Sequence, residues 1–99
     1  MSFSASRAPK AVHPGRILVD YIADSELSQS AVARRLRVPI GNINEICRGK
    51  RGISPEMAVK LGKFFGTSAE LWLNLQKSWE LSRVNPIIAN DIKPLKRAA

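Results

Sequence analysis

The chain has 99 residues, enough for one small domain with a single core and too few for a second. Charged residues make up 24% of it and no apolar run could span a bilayer, which excludes a membrane protein, and we expect a globular protein of the cytoplasm. Its formal net charge of +8 favours a polyanionic partner, with nucleic acid ahead of an anionic membrane.

The single cysteine excludes an internal disulfide and a thiolate-rich zinc site. We interpret Cys47 as a small buried hydrophobe and His13, beside Pro14, as a residue that introduces a helix. The chain has no paired acids in a plausible site, no nucleophile with a base and no phosphate-cradling glycine loop. We therefore predict no enzyme activity, no cofactor and no metal.

Five helices and no strand are predicted, so the fold class is all-α. Residues 1–12 are expected to form a flexible basic arm, and apolar side chains at helical spacing after Pro14 predict a first helix over 14–24. Ser28 is a good N-cap for a second helix over 29–36. Val38-Pro39 then turns the chain, and a third helix follows over about 39–48, with Gly49 just past its end.

Ser54-Pro55 marks the start of a fourth helix and Gly66 its end. The run Thr67-Ser68-Ala69-Glu70 has the spacing of a capping box and predicts a fifth helix that continues to about Val84. The helical domain is thus expected over 13–84, with residues 85–99 as a tail that either is disordered or straps onto a partner.

The second and third helices form a pair joined by a short turn, and the third is apolar on one side only. An α-helix fits the DNA major groove, where amides pair with adenine, a carboxylate accepts from cytosine and an aliphatic group touches a thymine methyl. Asn42, Asn44 and Glu45 are the candidates for reading base edges, with Ile40 at the helix start. The candidates for phosphate contacts are Gln29, Arg34, Arg48, Lys50 and Arg51. The alternative is two ordinary core helices with polar outer faces.

The segments HPGRIL, LSQSAVARRLRVPIGNINEICRGKRGISPEMAVKLGKFFGTSAELWLNLQ and IKPL resemble the HigA family of antitoxins, within the Xre/Cro group of helix-turn-helix proteins. The resemblance covers about residues 13–95. It implies a dimeric repressor that binds operator DNA of its own operon and neutralises a HigB-type, RelE-like toxin that cuts mRNA. It also implies that Gln29 holds phosphate and that Ile40, Gly41, Asn42, Asn44 and Glu45 face the groove.

Two departures from the family pattern affect the third helix. Pro39 stands where relatives often have a capping Ser or Thr, and Ile40-Gly41 replaces residues that are commonly polar or basic. Because Gly41 has no side chain to read a base, specificity is expected to depend more on Asn42, Asn44, Glu45 and DNA shape.

The fifth helix is predicted to be apolar on two sides. One side can close the core of its own chain, and the other, with Leu73, Leu81 and Val84, is expected to form a homodimer that places two reading helices about 34 Å apart. The alternative is burial of both sides within one chain.

Three rival functions remain open at this point. The chain could be a regulator with no toxin, a protein-binding inhibitor that has lost DNA recognition, or an RNA-binding module. The last would be expected to show exposed aromatics or a strand platform, and neither is visible in the sequence.

Overall fold

The computed structural model describes residues 11–96, so nearly all of the predicted arm and residues 97–99 lie outside it. The described part is all-α, as predicted. Its five helices are α1 (Pro14–Ser25), α2 (Gln29–Leu36), α3 (Ile40–Cys47), α4 (Pro55–Phe65) and α5 (Ala69–Arg83), followed by a short 3₁₀ helix, Pro86–Ala89. None of these helices is both long enough and apolar enough to cross a membrane.

Side-chain caps begin four of the helices. Ser28, Ser54 and Ser68 each accept a hydrogen bond from the backbone N–H three residues later, at 3.0–3.1 Å. His13 has the same role for α1, since its Nδ1 accepts from the N–H of Gly15 at 2.9 Å. These bonds satisfy N–H groups that have no partner within the helix, which explains why the helices begin where they do.

Several helix ends differ from prediction, and α1 and α5 each differ by one residue, ending at Ser25 and Arg83. Pro39 has an extended backbone (ψ 142°) and therefore precedes α3, which begins at Ile40 and ends at Cys47. The predicted capping box on Thr67 is wrong: Ser68 caps α5, and the Thr67 hydroxyl accepts from Trp72 Nε1 at 2.8 Å instead. Within the predicted tail, residues 86–89 form a short 3₁₀ helix, because Asn85 caps it and Pro86 opens it.

All five helices contribute to the core, in which Trp72 is fully buried. Tyr21 and Phe65 flank this indole, and the Tyr21 ring meets it edge to face at 5.2 Å. The other large side chains that are fully buried are Pro14, Leu18, Val32, Ile43, Ile46 and Leu61. Since Ile43 and Ile46 belong to α3, the same core that holds the domain together also fixes the orientation of that helix.

The start of α1 lies directly against the end of α3. A Cβ added at Gly15 would come within 1.7 Å of the Ile46 carbonyl oxygen, so only glycine fits at this position. This close approach is a second constraint on where α3 sits.

Candidate nucleic-acid interface

The outward face of α3, defined by Ile40, Gly41, Asn42, Asn44 and Glu45, is available to a partner. Ile40 is 45% exposed, Gly41 and Asn44 are exposed, and Asn42 and Glu45 are partly exposed. The opposite side of the helix is buried in the core. The structure thus separates a packing side from a polar side on α3, as the periodicity predicted.

Two predicted contact residues, one on each helix of the pair, are hydrogen-bonded to each other. Asn44 Nδ2 donates to Gln29 Oε1 at 3.2 Å. This bond leaves the Gln29 amide N–H groups and the Asn44 carbonyl oxygen free, because each amide group has both a donor and an acceptor end. The predicted phosphate contact and the predicted base contact therefore lie side by side and hold each other in place.

Glu45 and Arg51 form an ion pair that the sequence did not predict. Arg51 Nε and one terminal nitrogen both lie 2.8 Å from the same Glu45 carboxylate oxygen. Both side chains are about half exposed, so the attraction is screened by solvent and the pair can open. In this arrangement the one acid of the outward face is neutralised by a residue assigned to the DNA backbone.

The turn after α3 orients the basic residues at its end. Gly49 has a left-handed backbone (φ 76°), its N–H donates to the Ile46 carbonyl, and the N–H of Lys50 donates to the Glu45 carbonyl. These two bonds form a Schellman motif, which glycine adopts at least cost. Arg48, Lys50 and Arg51 are consequently exposed beside the outward face, and Arg34 is exposed in the last turn of α2.

Gln76 is a positioning residue that sequence reasoning missed. Its side chain is only 8% exposed, Oε1 accepts from the N–H of Ile53 at 2.7 Å, and Nε2 donates to Glu80 at 3.1 Å. It thereby ties the loop that carries Lys50 and Arg51 to α5. The only signal in the sequence was a polar residue on an otherwise apolar side of a helix.

His13 connects α1, the end of α3 and α5. Its ring meets Trp79 edge to face at 4.7 Å, and its Nδ1 must be unprotonated to cap α1. Burial lowers the pKa of His13. Cys47, beside it in the same cavity, is only partly buried, although burial does raise the pKa of its thiol and it packs against the core as predicted.

The three predicted dimer residues are not equivalent. Leu81 and Val84 are 66% and 47% exposed, whereas Leu73 is partly buried against the core and lines a groove beside α5. Within residues 11–96, no three acidic, histidine or cysteine side chains are close enough to hold a metal ion.

Comparisons with known proteins agree with this geometry. Residues 23–72 match the model of the helix-turn-helix family. The chain belongs to the helix-turn-helix family. Virulence-associated protein A of Dichelobacter nodosus is 45% identical over 86 residues, which cover 85% of this chain and 84% of that protein.

Two solved structures relate this helix-turn-helix protein to the HigA antitoxins. An addiction module antidote protein of the HigA family from Coxiella burnetii matches with a TM-score of 0.81 at 30% identity, over 88% of this chain and 100% of that one. The Pseudomonas aeruginosa antitoxin HigA, solved with the higBA promoter, matches with a TM-score of 0.80 at 38% identity, over 87% and 99%. The predicted resemblance to the HigA antitoxins is confirmed, and these relatives are not enzymes.

The family match covers one part of the predicted site and not the other. It includes all ten candidate DNA-contact residues, which lie between positions 29 and 51. It stops before the three candidate dimer residues, of which Leu73 is the first in the chain.

Proposed function

We propose that this protein is a dimeric, sequence-specific repressor that places the outward face of α3 in the major groove of its operator. The observation that carries the proposal is the exposed polar face of α3 on a helix whose other side is locked into the core. Side chains held in this way present one fixed pattern of donors and acceptors, as recognition of base edges requires.

Phosphate contacts are assigned to the polar and basic residues around that face. Gln29 lies at the first turn of α2, where the helix dipole favours a phosphate, and its free amide N–H groups can donate. Arg34, Arg48, Lys50 and Arg51 supply the charge. These contacts fix register and contribute affinity on any duplex, while Asn42, Asn44, Glu45 and Ile40 supply the sequence preference.

We further infer that the protein is an antitoxin that neutralises a HigB-type toxin and represses the operon that encodes both. The support is similarity: a HigA-family relative is described as an addiction module antidote, and another was solved with the higBA promoter.

The DNA proposal is tested by binding of the purified protein to a labelled duplex from its own upstream region and to a shuffled duplex, each at two salt concentrations. We expect a preference of about a thousandfold or more for the upstream duplex and a steep salt dependence. Weak and equal binding to both duplexes would contradict base recognition and favour a protein-binding inhibitor.

The antitoxin inference is tested by expressing the chain with the product of the neighbouring reading frame. We expect that product alone to arrest growth, the pair to restore growth, and the two proteins to copurify. Specific operator binding without a toxic neighbour would instead identify a regulator that has no toxin.

A further inference from the structure

We infer that the C-terminal segment of each protomer, residues 84–96, packs into a groove along α5 of a second copy of this chain. This inference rests on the dimer proposed above and specifies how the two copies hold each other. Its starting point is an ordered segment in which every residue is exposed.

The segment exposes several large apolar side chains to solvent. Its large aliphatic side chains are 47–88% exposed, and Leu95 is the most exposed of them. They are Val84, Ile87, Ile88, Ile92 and Leu95. Single exposed aliphatics are common, but five of them within one short segment mark a surface that is covered by a partner.

A groove of matching chemistry runs along α5. Its apolar floor is formed by Ile53 and Leu73, and its other lining residues are Glu70, Asn74, Gln76, Lys77 and Glu80. Glu70, Leu73, Lys77 and Glu80 follow one another at helical spacing on one face of α5, and Leu81 and Val84 continue that face toward the end of the helix. The groove is therefore an extension of the proposed dimer surface rather than a separate site.

The charges of the two surfaces are complementary. The groove has two acids, Glu70 and Glu80, and one base, Lys77, for a net charge of −1. The end of the segment has one acid, Asp91, and two bases, Lys93 and Lys96, for a net charge of +1. Ile92 and Leu95 alternate with these bases, so that the segment can place aliphatic side chains on the floor and cations at the rim.

The C-terminal segment is long enough for each of two copies to reach the groove of the other, an arrangement called exchange below. If the two α5 helices meet in antiparallel fashion at their C-terminal ends, Val84 of one copy lies about 17 Å from Leu73 of the other, since eleven residues of α-helix separate these positions. The chain from Val84 to Ile92 can span about 19 Å, with extended backbone at Val84 and Asn85, then the 3₁₀ helix and a further turn that the Ile92 N–H closes on the Ala89 carbonyl. Ile92 then reaches Leu73, and Lys96 continues toward Glu70 at the start of the helix.

The first test measures dimer dissociation by sedimentation, with the full chain and with a chain ending at Asn90. Truncation is expected to weaken the dimer by about tenfold or more, because two copies of Ile92 and Leu95 lose their buried sites. The truncated chain should unfold at the same denaturant concentration when monomeric, since residues 91–96 are exposed within one protomer and do not belong to its core. An unchanged dimer constant would overturn the exchange while leaving the dimer itself intact.

The second test is a charge swap between Lys96 and Glu70. Lys96→Glu and Glu70→Lys are each expected to weaken the dimer by about threefold or more, and the double variant to recover most of the loss. Lys63→Glu on α4 makes the same charge change away from the groove and should leave the dimer unaffected. Losses that add in the double variant would show that the two residues do not meet.

The third test determines whether the segment occupies the groove of the partner or the groove of its own chain. In a Cys47→Ala background, chains with Asn74→Cys are mixed with tagged chains carrying Leu95→Cys and treated with a short bismaleimide. A cross-linked pair of one tagged and one untagged chain supports exchange. If Asn74→Cys and Leu95→Cys react only when both are on one chain, the segment packs on its own α5 and the inference is wrong. If the protein forms no dimer, the inference is also wrong, while sequence-specific DNA binding is still tested separately by the duplex titration.

Discussion

At the residue scale, each of the two hydrogen-bonded pairs of the interface joins a predicted base-reading residue to a predicted phosphate contact. Asn44 is held by Gln29 with its carbonyl oxygen free, and Arg51 is held by Glu45 beside the groove-facing surface. We expect Asn44→Ala to cost about 1–3 kcal/mol on the operator and to relax preference at a single base pair. Arg51→Ala should weaken every duplex alike. Binding to a set of duplexes with single base changes measures both, and equal effects of the two substitutions on every duplex would contradict the assignment.

Gly15 and Gly41 form a matched pair for testing how α3 is fixed. Gly15→Ala would bring a methyl group against the Ile46 carbonyl, and overpacking of this kind destabilises by about 1–3 kcal/mol. Gly41→Ala meets no atom within 4 Å and should stabilise α3 by about 0.5–1 kcal/mol, since alanine is the better helix former. Urea unfolding of both variants measures the difference. A tolerated Gly15→Ala would mean that α1 can shift away from α3.

At the scale of elements, the cap of α1 makes stability depend on pH. The folded protein disfavours protonation of His13, because burial lowers its pKa and Nδ1 accepts from the Gly15 N–H. The unfolded chain takes up this proton at about pH 6.5, so the stabilisation is complete above that value and is lost as the pH falls below it. Arg16, Asp20 and Arg48 line the same cavity as His13.

The measurement is the urea midpoint at pH 7.5 and at pH 5, for the natural chain and for His13→Asn. Asparagine caps a helix without titrating, so the variant should retain the cap and lose part of the fall in stability toward pH 5. An identical pH dependence in both chains would show that other groups determine it.

The elements themselves were largely predictable from local sequence, and their connections were not. Ser28, Ser54 and Gly66 end or begin helices through hydrogen bonds to residues within a few positions, so the sequence pattern alone predicts them. Thr67 failed as a cap because its hydroxyl binds the Trp72 indole, a tertiary contact within the core. Where two capping residues are adjacent, such a contact decides between them.

The same distinction applies to the candidate site. The outward face of α3 follows from helical periodicity. Gln76, by contrast, binds the loop at Ile53, 23 residues away, and the residues next to either position do not indicate this contact.

Gln76→Leu would leave the Ile53 N–H buried without an acceptor, which costs about 1–3 kcal/mol. Because the loop also carries Lys50 and Arg51, we expect weaker binding to all duplexes with unchanged sequence preference. Urea unfolding and duplex titration of this variant measure the two effects, and altered base preference would contradict a positioning role.

At the scale of the whole molecule, the salt dependence of DNA binding counts the cations that reach phosphates. Arg34, Arg48, Lys50 and Arg51 are four per protomer and eight per dimer, and at about −0.9 per neutralised phosphate they predict a slope of about −7 in log affinity against log salt. If Arg51 stays paired with Glu45 on the DNA, six remain and the slope is about −5. Glu45→Gln distinguishes these cases, since it frees Arg51: the slope should steepen by about two if Arg51 stays paired in the natural complex, and should not change if Arg51 already binds phosphate. A slope near −4 in the natural chain would indicate that a single protomer binds, because four cations neutralise about four phosphates.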